Sequence, residues 1–205
     1  MPGIRLGDPG EPYRAGRHRP IPWRRRWFGS FRQWRDRGQS GFAIRYNVFS
    51  KQDALPGPQA RPNVLLGHFP LAGAGSEDRY LVYGNFFQHN PSEALLQAEG
   101  RVVLYDNVFV NGGGDAIHIQ PHNDVPRDMA IFSNTVLASG TGIRVRHAVG
   151  TPYRQRVLAN VIAASIPLQA GEAAYNVALA YRPDLLNVAV SDLTPDLLRR
   201  PPAFQ

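Results

Sequence analysis

The sequence repeats one short pattern, an apolar strand that ends in asparagine and is followed by two further apolar residues. The pattern recurs at Asn47, Asn85, Asn107, Asn134, Asn160 and, in a weaker form, Asn176. The central copies are 22 to 27 residues apart, counted from Asn85 to Asn107 and from Asn107 to Asn134. A repeat of this length, with short strands and turns but no helical periodicity, predicts a solenoid whose coils stack at about 4.8 Å.

A second short strand follows most of these asparagines, with Gly, Asn, Ser and Pro in the turn between the two strands. The second strands are predicted at 94–97, 116–119, 142–145 and 165–168. Apolar residues three before and two after each asparagine are predicted to form two buried stacks. The first stack is Ile44, Val82, Leu104, Ile131 and Val157, and the second is Phe49, Phe87, Phe109, Val136 and Ile162. Each asparagine is predicted to take a left-handed turn conformation and to hydrogen-bond from coil to coil through its amide.

Composition narrows the class of protein further. A chain of 205 residues with 43% hydrophobic residues is long enough for one domain with a real core. The 20 glycines and 18 prolines disfavour a helical bundle. The absence of cysteine excludes disulfide scaffolds, zinc–thiolate sites and thiol nucleophiles. No apolar run reaches the roughly 18 residues that span a bilayer, so no membrane partner is expected.

The net charge of +7 belongs to the first 40 residues, where ten arginines and three acidic residues leave +7 and the remainder of the chain sums to zero. Tryptophan and phenylalanine alternate with these arginines, a composition that can bind single-stranded nucleic acid. No recognition-helix or zinc-finger spacing accompanies the segment, so we expect its aromatic residues to pack on the next domain and expect no nucleic-acid partner. No apolar stretch of a signal peptide follows the charged start.

The repeated strand–Asn–apolar coils resemble the right-handed parallel β-helix of the pectate-lyase-like superfamily over about residues 41–180. The resemblance implies an all-β fold, a right-handed parallel β-helix (solenoid) of about five to six coils. Residues 1–40 are then a basic, Arg/Trp-rich N-terminal segment or cap, and residues 181–205 are a C-terminal capping tail. The superfamily includes polysaccharide lyases, glycoside hydrolases, uronate epimerases, phage tailspikes and non-catalytic surface proteins, and its members usually act outside the cytoplasm.

Stacking the second strands in register predicts an outward row of side chains. The row is Leu96, His118, Arg144 and Pro167, with Ala98, Gln120, Arg146 and Gln169 two residues further along. Asp115 and His122 flank the His118 strand, and His147 ends the Arg144 strand. Because arginine can bind a uronate carboxylate through two parallel hydrogen bonds, the expected partner is an acidic polysaccharide.

The chemistry expected at this row is β-elimination or C5 epimerisation of a uronate. Both reactions need a cation to neutralise the carboxylate and a base to remove the adjacent proton. We therefore predict His118, His122 and Arg144 as catalytic residues. The predicted substrate-binding residues are Arg146, Gln120, Asp115 and His147. Pro121 and His122 also match the Asp-Pro-His-Asp motif of mannuronan C5-epimerases, whereas Gln120 replaces its first Asp and Asn123 separates the histidine from Asp124.

No metal site and no cofactor are predicted. Calcium would need clustered carboxylates, and the acidic residues of this region fall on different predicted turns. The competing hypothesis is a non-catalytic β-helix, either a structural or surface module or a fragment of a larger secreted protein. The sequence leaves open the identity of the polysaccharide, the oligomeric state and the location of the protein.

Overall fold

The computed structural model describes residues 41–51, 60–67, 77–122, 125–147 and 150–183. The chain divides into two compact units, and all described residues belong to the second, Gln39–Gln205. The predicted N-terminal segment, 1–40, and residues 184–205 of the predicted tail lie outside the described residues. The described part of the chain is all-β and contains no α-helix. No helix long and apolar enough to cross a membrane is found among these residues.

The strands follow one another in sets that we call levels 1 to 6. Level 1 contains β1 (Gly41–Arg45), β2 (Val48–Ser50) and β3 (Val64–Leu66). Level 2 contains β4 (Arg79–Tyr83), β5 (Phe86–Gln88) and β6 (Leu96–Ala98), and level 3 contains β7 (Arg101–Tyr105), β8 (Val108–Asn111) and β9 (Ile117–Ile119). Level 4 contains β10 (Met129–Phe132) and β11 (Thr135–Val145), and level 5 contains β12 (Gln155–Leu158) and β13 (Val161–Gln169). Level 6 contains β14 (Glu172–Ala174) and β15 (Val177–Ala180).

All strand pairings are parallel, and each joins one level to the next. Strands β1, β4, β7, β10, β12 and β14 form a six-stranded sheet, sheet 1. Sheet 2 has nine strands, in which β11 pairs with β8 through its first half and with β9 through its second half. Strand β13 runs beside β11 over both halves. Parallel sheets stacked level on level are compatible with the β-helix that the repeat predicts.

A column of asparagine side chains joins all six levels, as the repeat predicts. In every step the backbone N–H and the Nδ2 of one asparagine donate to the Oδ1 of the asparagine in the next level, at 2.9–3.1 Å. The column, which we call the asparagine ladder, consists of Asn47, Asn85, Asn107, Asn134, Asn160 and Asn176. The Nδ2 groups also donate to strand carbonyls, as Asn107 does to Val82 and Tyr105, each at 2.9 Å. The predicted amide ladder is therefore confirmed.

The left-handed backbone conformation lies at the residue before each asparagine, so the prediction that asparagine itself adopts it is wrong. The φ angle is between 52° and 64° at Tyr46, Gly84, Asp106, Ser133, Ala159 and Tyr175. This preceding residue forms the corner between a strand of sheet 1 and the following strand of sheet 2. Its turn leaves both the N–H and the amide of the asparagine directed at the neighbouring level, where the ladder bonds form.

The two predicted apolar stacks form the core. Eight members are at most 1% exposed: Val82, Leu104, Ile131, Val157, Phe87, Phe109, Val136 and Ile162. In level 1, Ile44 and Phe49 are only partly buried and pack against this core. The rings of Phe49, Phe87 and Phe109 stack with centroids 4.9 and 4.5 Å apart. The interior therefore repeats one packing arrangement from level to level.

Replacing a central member of the ladder should destabilise the fold strongly. Asn107 is 1% exposed, and Asn107→Ala would leave the Asn85 N–H and the Val82 carbonyl without this partner. Because each buried unsatisfied group costs about 1–3 kcal/mol, the free energy of unfolding should fall by about 3 kcal/mol or more. Asn47→Ala, at the exposed end of the ladder, should cost about 1 kcal/mol or less. Chemical denaturation followed by circular dichroism measures both, and equal losses would contradict a central role for the ladder.

A substitution at one of the left-handed turns should stabilise the fold, in contrast to the loss expected from replacing a ladder asparagine. Ala159 has a φ of 52°, a conformation that costs a residue with a β carbon about 1–2 kcal/mol. Ala159→Gly should therefore raise the free energy of unfolding by about 1 kcal/mol. The same exchange at Ala130, inside strand β10, should lower it by about 0.5–1 kcal/mol. If Ala159→Gly proved less stable than the unaltered protein in the same denaturation assay, the left-handed backbone at Ala159 would not be a cost to stability.

Candidate functional site

Four polar residues from levels 2 to 5 lie side by side on the outer face of sheet 2. The strand register pairs Gln97 with His118, His118 with Arg144, and Arg144 with Gln169. The two isoleucines that flank His118 are buried in the core, because successive residues of a strand face opposite sides. The predicted adjacency of His118 and Arg144 is therefore confirmed. We call these four residues the outer row.

The level 2 end of the outer row differs from the prediction. Leu96 and Ala98 do not face outward, since both are at most 1% exposed and belong to the core. Gln97 occupies the outer position instead. Residues 94–96 are three consecutive apolar residues, so no alternation in the sequence distinguishes the inner from the outer face there.

The level 5 end also differs. Pro167 does not stand beside Arg144, where Gln169 lies instead. Strand β11 contains an irregularity between Ala138 and Thr141, which shifts its register against β13. A bulge of this kind adds one residue to one strand, and the spacing of apolar residues in the sequence does not reveal it.

Asp115 links the turn after β8 to the outer row. Its Oδ1 accepts the Thr141 N–H at 2.5 Å. A β carbon on residue 140 would lie 2.2 Å from this oxygen, so the contact requires Gly140. The other carboxylate oxygen, Oδ2, lies 2.8 Å from Nε2 of His118 and 4.0 Å from Nη1 of Arg144. Asp115, expected as a substrate-binding residue, is thus held against both basic members of the row, His118 and Arg144.

The His118 imidazole is almost completely buried, with a side chain 9% exposed. Its Nε2 is near Asp115 but lacks the alignment of a hydrogen bond. Burial lowers the pKa of His118 below its ordinary value of 6.5; the Asp115 carboxylate partly offsets this, and the charge of Arg144 lowers the pKa further. The lowered pKa favours the neutral imidazole at pH 7. The carboxylate beside Nε2 favours the proton on that nitrogen and the lone pair on Nδ1.

The Arg144 guanidinium is fixed by neighbours in its own level and in the next. Its Nε donates to Oε1 of Gln169 and its Nη2 to Oγ1 of Thr141, both at 2.9 Å. A quarter of the side chain is exposed. Arginine has five N–H groups, so three of them form no hydrogen bond within the described part of the chain. Arg144 is thus both held in one orientation and able to bind an anion.

Thr141 joins Asp115 to Arg144, and sequence analysis missed it. The residue is 2% exposed, its N–H binds Asp115, and its hydroxyl binds Arg144. The only signal available was a hydroxyl residue between Gly140 and Gly142, just before the strand predicted at 142–145. Such a signal is weak, because Gly-Thr-Gly is also common in turns.

Gln120 and Arg146 extend the polar surface past the ends of their strands. The Gln120 N–H donates to the Ala98 carbonyl at 3.1 Å, and the Arg146 N–H donates to the Ile119 carbonyl at 2.8 Å. These bonds keep both residues in register, two positions beyond their neighbours in the outer row. Arg146 is exposed and Gln120 is half-buried. Both predicted binding residues therefore lie beside His118 and Arg144.

His122 and His147 are not part of the same cluster. His122 is exposed, and its N–H donates to Oε2 of the buried Glu99 at 2.6 Å. No hydrogen bond joins it to His118 in the part of the chain that the structure describes. His147 has Nδ1 2.5 Å from Oε1 of Gln155, and its Nε2 accepts the Gly171 N–H at 3.2 Å. Both ring nitrogens of His147 are thus bonded within the protein, which leaves neither for a ligand.

Among the residues described, no three His, Asp or Glu side chains are placed to bind one metal ion. The buried Glu99 and the buried Gln155, whose amide donates to the carbonyls of Pro126 and Arg127, were not singled out in the sequence as polar groups of the interior. A polar residue in a short strand or turn carries no sequence signal of burial.

Comparison of the chain with protein-family models, with curated proteins and with solved structures finds no significant match.

The electrostatics of the site predict a measurable titration. The pKa of His118 should lie below 6.5; Arg144→Gln should raise it by removing a positive charge, and Asp115→Asn should lower it by removing a negative one. Since the unfolded state then binds more protons, stability should fall as the pH drops through about 6.5, and His118→Gln should remove this contribution. Proton NMR of the imidazole and denaturation at several pH values measure both effects. His122→Gln serves as the control, and a folded-state pKa above 6.5 would contradict the assignment.

Proposed function

We propose that this chain is a right-handed parallel β-helix of the pectate-lyase-like type that binds an acidic polysaccharide along the outer row. The asparagine ladder, the parallel pairing of successive levels and the two apolar stacks support the fold. Adjacent parallel strands lie about 4.8 Å apart, so residues of neighbouring levels can contact the same or adjoining sugar units. A polymer lying across the levels would reach the exposed Gln169 and the partly exposed Arg144 directly, whereas Gln97 and His118 are each 7% exposed and lie beneath them in the row.

The observation that carries the proposal is the fixed orientation of Arg144. Its bonds to Thr141 and Gln169 leave three N–H groups outside these hydrogen bonds, two of them on Nη1, 4.0 Å from Oδ2 of Asp115. A carboxylate ligand would bind the guanidinium through two parallel hydrogen bonds. Because the guanidinium is already ordered, binding costs less side-chain entropy than it would for a freely moving arginine. Arg146 supplies a second positive charge next to it.

The same residues support β-elimination or C5 epimerisation as the chemistry of the bound uronate. Arg144 would neutralise the carboxylate and so acidify the neighbouring C–H group. His118, whose lowered pKa favours the neutral imidazole, would accept that proton at Nδ1, while Asp115 stabilises the imidazolium that forms. In β-elimination the electron pair left at C5 then forms the C4–C5 double bond, the C4–O bond to the leaving sugar breaks, and the imidazolium returns its proton to the leaving oxygen. In epimerisation a water molecule would instead supply a proton to the opposite face of C5.

The second candidate function is a non-catalytic module of the same fold. It is favoured by the burial of His118, whose Nε2 has no solvent contact, and by the internal bonds of Asp115. In that case the polar cluster stabilises the stacking of levels 3 to 5.

Binding should depend on Arg144 and not on positive charge in general. We expect Arg144→Gln to weaken the affinity for oligomeric alginate or polygalacturonate about 10- to 100-fold, the equivalent of about 1.5–3 kcal/mol for a hydrogen-bonded charge. Arg156→Gln is the matched control, because Arg156 lies on sheet 1 and pairs with Glu172 at 3.3 Å. Calorimetry measures both, with neutral dextran and single-stranded DNA as further ligands. Equal weakening by both variants, equal affinity for DNA, or no binding of any uronate polymer would refute the proposal.

Turnover separates the catalytic form of the proposal from the binding module. A lyase produces an unsaturated uronate that absorbs in the ultraviolet, and an epimerase introduces solvent deuterium at C5. If the outer row is catalytic, the unaltered protein should give one of these two signals. His118→Asn should abolish that signal and still bind the polymer. Polymer binding without either signal in the unaltered protein would identify the non-catalytic module.

A further inference from the structure

The asparagine ladder has a direction, and its two ends are complementary. At each step, the backbone N–H and Nδ2 of one asparagine donate to Oδ1 of the asparagine in the next level, so all ladder bonds run in the same direction. Within the described residues, Asn176 therefore has a backbone N–H with no acceptor, and Asn47 has an Oδ1 with no donor. One end of the structure offers the donors that the other end lacks.

The strand backbones show the same complementarity. At every junction between levels, the residue that follows a ladder asparagine donates its N–H to the backbone carbonyl of the ladder asparagine in the preceding level. Val177, for example, donates to Asn160 at 2.8 Å. Val48 holds this position in level 1, where no preceding level is described. In level 6, the N–H of Ala178 points away from β13, because consecutive residues of a strand direct their backbone groups to opposite sides.

The side chains at the two ends differ in size in a way that permits stacking. The inward positions of level 6 are occupied by Ala173 and Ala178, whereas the same positions of level 1 are occupied by Ile44 and Phe49. Large residues of one end can thus pack over small residues of the other. The inward residues of both ends are less covered than their counterparts one level further in. Ala173 and Ala178 are exposed and Ile44 and Phe49 are half-buried, whereas Val157, Ile162, Val82 and Phe87 are fully buried.

We propose that copies of this chain associate head to tail, with level 6 of one copy pairing with level 1 of the next. The Asn176 N–H and Nδ2 donate to Oδ1 of Asn47 in the next copy, and the Val48 N–H of that copy donates to the Asn176 carbonyl. The contact joins two different surfaces and does not close on itself, so it permits chains of more than two copies. A head-to-head contact is disfavoured, because it sets donor against donor or acceptor against acceptor in the ladder.

The test blocks each end separately with proline, which removes an N–H and is tolerated on an edge strand. Val48→Pro blocks the level 1 end and Ala178→Pro blocks the level 6 end. Val48→Ala and Ala178→Ser are the matched controls, since they retain the N–H and do not add bulk to the small inward position of level 6. Circular dichroism establishes that each variant keeps its β structure, and sedimentation velocity measures the mass of the species in solution.

The unaltered protein and both controls should form species whose mean mass rises steadily with concentration. Each proline variant alone should remain a monomer. An equimolar mixture of the two proline variants should form a dimer and nothing larger, because it contains one intact level 6 end and one intact level 1 end per pair. A dimer of Val48→Pro alone would show that the level 6 ends of two copies pair with each other, and it would overturn the proposal. A monomeric unaltered protein would also overturn it, and slow hydrogen exchange of the β15 amides in that monomer would show that another part of the same chain covers this end.

Discussion

The hydrogen bond from one asparagine to the next is the interaction on which the rest of this structure depends. Each step uses both the backbone N–H and the side-chain amide as donors to one oxygen, so a displaced asparagine loses two bonds at once. Buried polar groups without partners are costly, and this cost fixes the register of every strand beside the ladder. The apolar stacks and the outer row follow from that register, because both consist of residues at constant distances from an asparagine.

The sequence was sufficient to predict the ladder, the inner stacks and the alignment of His118 with Arg144 in adjacent strands, since all three depend on spacing from a recurring residue. It was insufficient where spacing is ambiguous. Gln97 follows an apolar run without alternation, and Gln169 is aligned with Arg144 only because β11 contains a bulge. It was also insufficient for polar contacts between levels, such as those of Thr141, because partners distant in sequence are not marked by any local pattern.

The candidate site differs from the surrounding surface in how its charges are held. Asp115 and Arg144 are both bonded to Thr141, and His118 is buried beside them with a lowered pKa. Exposed ion pairs elsewhere, such as Arg154 with Glu172, have no comparable enclosure. A fold of stacked parallel strands hosts many functions, so the function rests on this local arrangement and not on the architecture.

The distance along the chain between ladder members varies from 38 residues between Asn47 and Asn85 to 16 between Asn160 and Asn176, although every step has the same geometry. The ladder constrains one corner of each level, and Asn90 links levels 1 to 3 at a second corner through Asn63 and Asn111. The remaining corners can lengthen or shorten without altering the alignment of the strands. Loops of new composition can be inserted there, so the surroundings of the polar row can diversify while the framework that carries it stays constant.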